Sequence, residues 1–284
     1  MRDRVDAIEE IATLPEVLAR IIDVVQNERT TAFDLADEIA NDQALAMRVL
    51  RVVNSSFYGF PRSIRSIPEA VVILGFNEIE RLALTISVIN MFGKSAAQVR
   101  ALHNLWRHSL ACSLAAGTLE QHFRRKHPEI AGAHLAGLLH DIGKAVIGQY
   151  FHEEMARVLD LIESSGCSVC EAEYEVFGGI THCEVGGWVA ERWNLPSELI
   201  NSIRGHHRPL EVPGDPILPH AAHLADTLVN IMGIGALNDQ PQAVQPHPET
   251  LARLPLDESV MMRIQERLEK QRGLLGAVAM GALS

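Results

Sequence analysis

Aromatic side chains are scarce in this chain: eight Phe, three Tyr and three Trp make up 5% of its 284 residues. Hydrophobic residues still reach 47%, so Ala, Leu, Ile and Val must build the interior. That composition suits close-packed helices better than a sheet protein. Basic residues are also few, 25 Lys and Arg against 36 Asp and Glu, for a net charge of -11. A chain this acidic lacks the basic field that a non-specific nucleic-acid binder or an anionic-membrane binder relies on. The most apolar stretch near the end, Leu274 to Leu283, is too short to span a bilayer. Met1-Arg2-Asp3-Arg4 is charged and leads into no apolar core, so no signal peptide is expected and the chain is expected to be cytoplasmic. Its four cysteines, Cys112, Cys167, Cys170 and Cys183, are then expected to be reduced. Cys167 and Cys170 form a CxxC, but no second pair follows and no thioredoxin-like strand precedes it. The spacing alone therefore assigns neither redox nor zinc chemistry.

Helical periodicity runs through most of the chain. Val17, Leu18, Ile21, Ile22 and Val25 recur at helical spacing after a candidate cap at Thr13. Thr31 with Asp34 forms a capping-box pattern, and Asp42 is placed to cap the helix carrying Leu45, Val49, Leu50 and Val53. Residues Asn54 to Pro61 read as a loop, Pro68 to Leu74 as a short helix stopped by Gly75, and Asn77 with Glu80 as the start of another. Beyond a small, polar junction at Gly93 to Val99, helices are predicted over Ala101–Phe123, Ala131–Leu139, Glu153–Ser164 and Ser168–Phe177. Further ones are predicted over His182–Trp193, Pro196–Arg204, His220–Met232 and Asp257–Arg272, with a loop at Gly233 to Pro248. The expected fold is all-α and two-lobed: residues 1–98, then 99–232, with 233–284 as a loop and C-terminal helix. The first lobe carries no evident catalytic constellation.

The one compositional excess with chemical content is histidine, at thirteen residues. Leu138-Leu139-His140-Asp141-Ile142-Gly143-Lys144 places two metal-capable groups at the end of the apolar run Ala131 to Leu139. Ionisable groups there are costly unless something pairs or coordinates them. Other candidates stand at His108, His182, His206, His207 and Asp226. Adjacent residues on one continuous helix diverge by roughly 100°, so both dyads, His140-Asp141 and His206-His207, make better ligands at helix ends, where Gly143 and Pro209 are expected to put them. Imidazole with carboxylate suits iron, manganese, zinc or nickel, and a carboxylate such as Asp141 is able to bridge two ions. Any single histidine is more often a hydrogen-bonded core or surface residue, and His103, His122, His127, His134, His152, His220, His223 and His247 stay in that class. Glu171, Glu173 and Glu175 read as a solvated helical face.

Several words of the chain resemble the HDOD family, the HD-related output domain. They are Leu14-Pro15, Asp42-Gln43-Ala44-Leu45, Val49 to Gly59 and Ile67 to Gly75. His140-Asp141-Ile142-Gly143-Lys144 and Glu173 to Gly178 before His182 complete the set, so the likeness covers about Ile11 to His207. The resemblance implies an all-helical bacterial signalling protein with an HD-domain-like bundle in its C-terminal lobe. The site is similar to that of HD-GYP cyclic-dinucleotide phosphodiesterases. That similarity implies one metal on His108, His140, Asp141 and Asp226, with Asp141 bridging to a second on His182, His206 and His207. It also implies Lys144 facing a substrate phosphate; the alternative for Lys144 is a charged C-cap on the buried helix. Two departures count against a cyclic di-GMP phosphodiesterase. The paired histidines continue into Arg208-Pro209-Leu210-Glu211-Val212-Pro213 without the GYP loop, and Asn104 stands where a glutamate would serve a third metal.

The expectation is a signalling protein with a di-metal site, acting through a protein partner or a nucleotide or cyclic-dinucleotide ligand. The alternative is a working metal-dependent phosphohydrolase with Asp141 and Lys144 in its catalytic site.

Overall fold

The computed structural model describes residues 1–9, 15–26, 30–55, 58–92, 96–234, 245–270 and 273. The expected cap at Thr13, residues 56–57 of the first loop, 93–95 of the junction, 235–244 of the later loop and the tail 274–283 lie outside them. The protein is all-α, with no strand among the described residues. None of the helices described is long and apolar enough to cross a membrane.

The chain divides into two compact units, one of Leu14–Val99 with Gln271–Ser284, the other of Met1–Thr13 with Arg100–Lys270. In the Leu14–Val99 unit, α1 (Arg2–Asp6) having been left to the other, come α2 (Glu16–Gln26), α3 (Ala32–Asn41), α4 (Gln43–Val53), α5 (Ile67–Leu74) and α6 (Phe76–Asn90). The caps follow the residues: Thr31 and Asp34 close a capping box on α3, Asp42 accepts from the Leu45 amide, and Ser66 accepts from the Glu69 amide. Gly75, at φ 88°, ends α5 and also opens α6. The expected start at Asn77 is therefore late, and α6 has no side-chain cap. Leu18, Ile21, Leu35, Ile39, Val49, Val53, Ile79 and Leu82 form the core. Asn54 holds the following loop, giving Nδ2 to the Ile64 carbonyl and taking the Ile64 amide, both at 2.8 Å. Phe33, near the start of α3, is exposed.

The larger unit contains α7 (Ala96–Phe123, from residue 100 on), α8 (Ala133–Leu139), α9 (Ile142–Tyr150), α10 (His152–Ser165) and α11 (Val169–Val176). It continues with α12 (His182–Arg192), α13 (Ser197–Gly205), α14 (Ile217–Ile231), α15 (Pro248–Arg253) and α16 (Glu258–Lys270). α1 joins it because Val5 is fully buried and Arg192 donates to the Val5 carbonyl at 2.9 Å. α14 is the central element, buried from Ile217 to Asn230. It begins three residues earlier than its sequence pattern suggests, and it packs on α8 and α13. α16 stays in this unit through buried Val260, Ile264 and Leu268 and through Arg263, which donates to His122 at 2.7 Å. Gly143 does not end a helix, as expected, but lies in the first turn of α9. A Cβ there would collide with the His182 carbonyl oxygen, so glycine is what lets α9 lie against α12.

Candidate metal centre

Six helices deliver the seven candidate ligands to one buried place. His108 comes from the middle of α7, His140 is the C-cap of α8 and Asp141 the N-cap of α9. His182 opens α12 behind a Thr181–Glu184 capping box, His206 caps the C-terminal end of α13, and Asp226 lies on α14. His207 follows His206 and is only partly buried. All the others are at most 3% exposed.

The histidines share one orientation. Nδ1 of His108, His140 and His206 donates to the carbonyls of Ile234, Gly137 and Ile203, each at 2.8 Å. Nδ1 of His182 donates to Glu173 Oε2 at 2.6 Å. A carbonyl only accepts, so these bonds place a proton on Nδ1 and turn Nε2 inward. Inside, Nε2 atoms face one another: His108 and His140 at 3.3 Å, His182 and His206 at 3.4 Å, His182 and His207 at 3.2 Å.

Asp141 stands between two such groups. Its Oδ2 lies 3.8 Å from His108 Nε2 and 3.4 Å from His140 Nε2, and Asp226 Oδ1 completes that group, 3.0 Å from His108 Nε2. Its Oδ1 lies 3.3 Å from His182 Nε2 and 3.6 Å from His206 Nε2 and has no hydrogen-bond partner. A carboxylate at an N-cap ordinarily accepts from the helix amides, but Asp141 makes no such bond and turns its oxygens to the histidines. Lys144, buried in the first turn of α9, donates to Asp141 Oδ2 at 2.9 Å. It is therefore at the start of α9 and not a C-cap of α8.

Burial, the largest influence, disfavours the His140 imidazolium, yet Asp141 and Asp226 outweigh it and raise its pKa to about 10. Burial likewise opposes His182, and Glu173 outweighs it, giving about 9. His206 is pushed down to about 4 by burial, with His140 and His182 adding to the effect. Burial raises the Asp141 and Asp226 carboxyls, but the surrounding cations prevail and hold both well below the ordinary range.

The donor set fits divalent ions. Bonds of about 2.1 Å at tetrahedral to octahedral angles put neighbouring donors roughly 3.0–3.4 Å apart, which is the spacing of most of these contacts. A cation would also satisfy Asp141 Oδ1 and relieve the facing lone pairs. The surroundings support the ligands: Glu173 also accepts from the His182 amide at 2.8 Å, Asn230 donates to Asp226 Oδ1 at 2.8 Å, and His223 donates to the His206 carbonyl at 2.8 Å. A cleft of about 800 Å³ opens beside the centre, lined by His207, Cys183 and Asp226 and by Cys170, Arg204 and Arg208.

The HDOD domain family matches residues 11–209, more than half of the chain. This chain belongs to that family. Among solved structures, the HDOD domain protein of Geobacter sulfurreducens superposes with a TM-score of 0.72 at 25% identity, covering 94% of this chain and 91% of that one. A protein of Marinobacter aquaeolei VT8, provisionally named for signal transduction, gives 0.80 at 25% identity over 95% of this chain and 59% of the other. An uncharacterized protein of Treponema pallidum (strain Nichols) is 27% identical over 218 residues, 76% of this chain. The HDOD chain spans 39% of that relative's length.

Two features of this HDOD site were not in the sequence reading. Glu173 was placed on a solvated face, but it is 1% exposed and fixes His182; Glu171 does stand outside, in the Ser168 capping box. The cysteines were the other omission. Cys112 Sγ lies 3.4 Å from His108 Nε2, and Cys183 Sγ 3.6 Å from His182 Nε2. His134 and His220 are, as expected, hydrogen-bonded elsewhere, to Glu120 and to Asp215 with Thr250.

Proposed function

We propose that this HDOD protein is a cytoplasmic signal-transduction regulator built around a two-metal centre, and that it acts through a partner protein or a nucleotide-like ligand. One ion would be held by His108, His140, Asp226 and Asp141 Oδ2, the other by His182, His206, His207 and Asp141 Oδ1. The observation that carries the metal reading is the orphaned Asp141 Oδ1, buried and facing inward-pointing Nε2 atoms. Family membership supports the signalling role. Bound ions would supply Lewis acidity to an anionic group entering the cleft beside His207.

The position of Lys144 favours regulation over hydrolysis. Its ammonium is engaged by Asp141 and is not part of the cleft lining, where a phosphate would meet it. The cleft itself favours a second reading, phosphodiester hydrolysis, because it reaches His207 and Asp226 and carries Arg204 and Arg208. These arginines are already engaged, Arg204 with Glu191 at 2.8 Å and Arg208 with Glu211 at 3.6 Å. Metal-loaded protein, with its metal content measured, separates the two readings in assays over nucleotides and cyclic dinucleotides. Regulation is supported by the absence of turnover. Turnover that Asp141→Ala abolishes would replace it with the phosphohydrolase.

A further inference from the structure

We propose that Cys112 is a thiolate ligand of the ion assigned to His108, His140 and Asp226, so that this half of the centre mixes nitrogen, oxygen and sulfur donors. The inference rests on the two-metal reading above and adds a residue to it.

Cys112 follows His108 by one helical turn on α7, so both side chains project from the same face. Its Sγ lies 3.4 Å from His108 Nε2. Ligand atoms of His108, Cys112, His140 and Asp226 all fall within 4.8 Å of one another, and all four residues are buried. Bonds of about 2.0–2.1 Å to nitrogen and about 2.3 Å to sulfur place the two donors roughly 3.1–3.6 Å apart, which brackets the observed separation. The bland alternative is a core thiol donating to His108. It accounts for the contact with Nε2 but not for the carboxylate and second imidazole gathered around the same point.

Cys183 makes the comparison. Its sulfur is 3.6 Å from His182 Nε2 but approaches His206 at Nδ1, 4.0 Å away, the nitrogen already given to the Ile203 carbonyl. It also shares a hydrogen bond with the Cys170 thiol, both cysteines being free. Cys112 Sγ lies nearer Nε2 of His108, at 3.4 Å, than Nδ1, at 3.9 Å. On coordination the Cys112 thiol gives its proton to solvent and its sulfur lone pair to the ion, with no change of oxidation state. A thiolate beside two imidazoles suits zinc, cobalt or iron(II) better than magnesium or manganese, which prefer oxygen. The two halves of the centre would therefore differ in metal preference.

Cobalt(II) tests this directly, because a cobalt–thiolate bond gives charge-transfer absorption in the near ultraviolet while imidazole and carboxylate ligands give only weak visible bands. The full chain has four cysteines, so the triple variant Cys167→Ser/Cys170→Ser/Cys183→Ser leaves Cys112 alone and its core side chain untouched. The expected result is the charge-transfer band in wild type, kept in the triple variant and lost in Cys112→Ser with the visible bands retained. If Cys112→Ser does not fold, the triple variant still decides. Visible bands without the near-ultraviolet band in the triple variant would overturn the Cys112 assignment and leave the two-metal reading standing. Failure of wild type to retain cobalt at all would overturn both.

Discussion

Asp141 gives up a helix cap to face two sets of imidazoles, and the residues around it are arranged to keep those imidazoles in one tautomer. Glu173 shows how much depends on a residue that holds no ion. It fixes both the amide and Nδ1 of His182, and removing such outer support ordinarily weakens metal affinity about 10–100-fold. Glu173→Gln should therefore lower affinity for the ion on His182, His206 and His207 by that factor, measured by competition with a chromogenic chelator, while the other ion is held as before. An unchanged affinity would make Glu173 merely structural. Protons and metal should also compete. His140 and His182 carry protons at pH 7 in the metal-free protein, with pKa values raised to about 10 and about 9. Each ion must displace at least one, so affinity should rise by at least about tenfold per pH unit per ion from pH 7. The part of the rise owed to these histidines should end near pH 9 for His182 and near pH 10 for His140. Calorimetry in buffers of different ionisation enthalpy reads the released protons; release of none would contradict the assigned protonation. At this scale the ordered histidines and aspartates were legible, because metal ligands must be those residue types. Glu173 was not, since nothing in a Glu-x-Glu-x-Glu run marks which carboxylate turns inward until α11 and α12 meet.

Helix ends bring the ligands together, and glycine sets how closely the helices cross. A Cβ at Gly143 would strike the His182 carbonyl, and one at Gly186 would come within 2.8 Å of Ile203 Cγ2. Gly143→Ala must push α9 from α12 and so pull Asp141 from His182. The expected cost is that of overpacking, about 1–3 kcal/mol, read as a lower Tm, with preferential loss of the ion on the His182 side. Normal stability and normal metal content in that variant would show the crossing to be looser than the structure has it. The capping pair Thr31–Asp34 was readable from spacing alone, because the bond that forms it is local. The short helix α9 was not, because its leading glycine looks like a stop until α12 supplies the reason for it. The early start of α14 was hidden for a similar cause: Ile217, Leu218 and Pro219 are buried by α13 and its loop, not by a local pattern.

At the scale of the whole molecule, the candidate chemistry falls in one unit while the family match spans both. All seven candidate ligands lie in the unit of Met1–Thr13 with Arg100–Lys270, while the Leu14–Val99 unit buries an apolar core. The sequence assigned residues 1–9 to the first lobe; Val5 and Arg192 place them with the second, a pairing across nearly two hundred residues that periodicity does not show. Chelation should therefore weaken hydrogen-exchange protection in α8, α9, α12, α13 and α14 and leave α3 to α6 unchanged. The most direct measurement is elemental analysis of purified protein beside a His206→Ala/His207→Ala variant. Two equivalents of divalent metal are expected in wild type, with the variant losing one of them. Less than one equivalent in carefully prepared wild type, or the same content in both proteins, would contradict the two-metal centre.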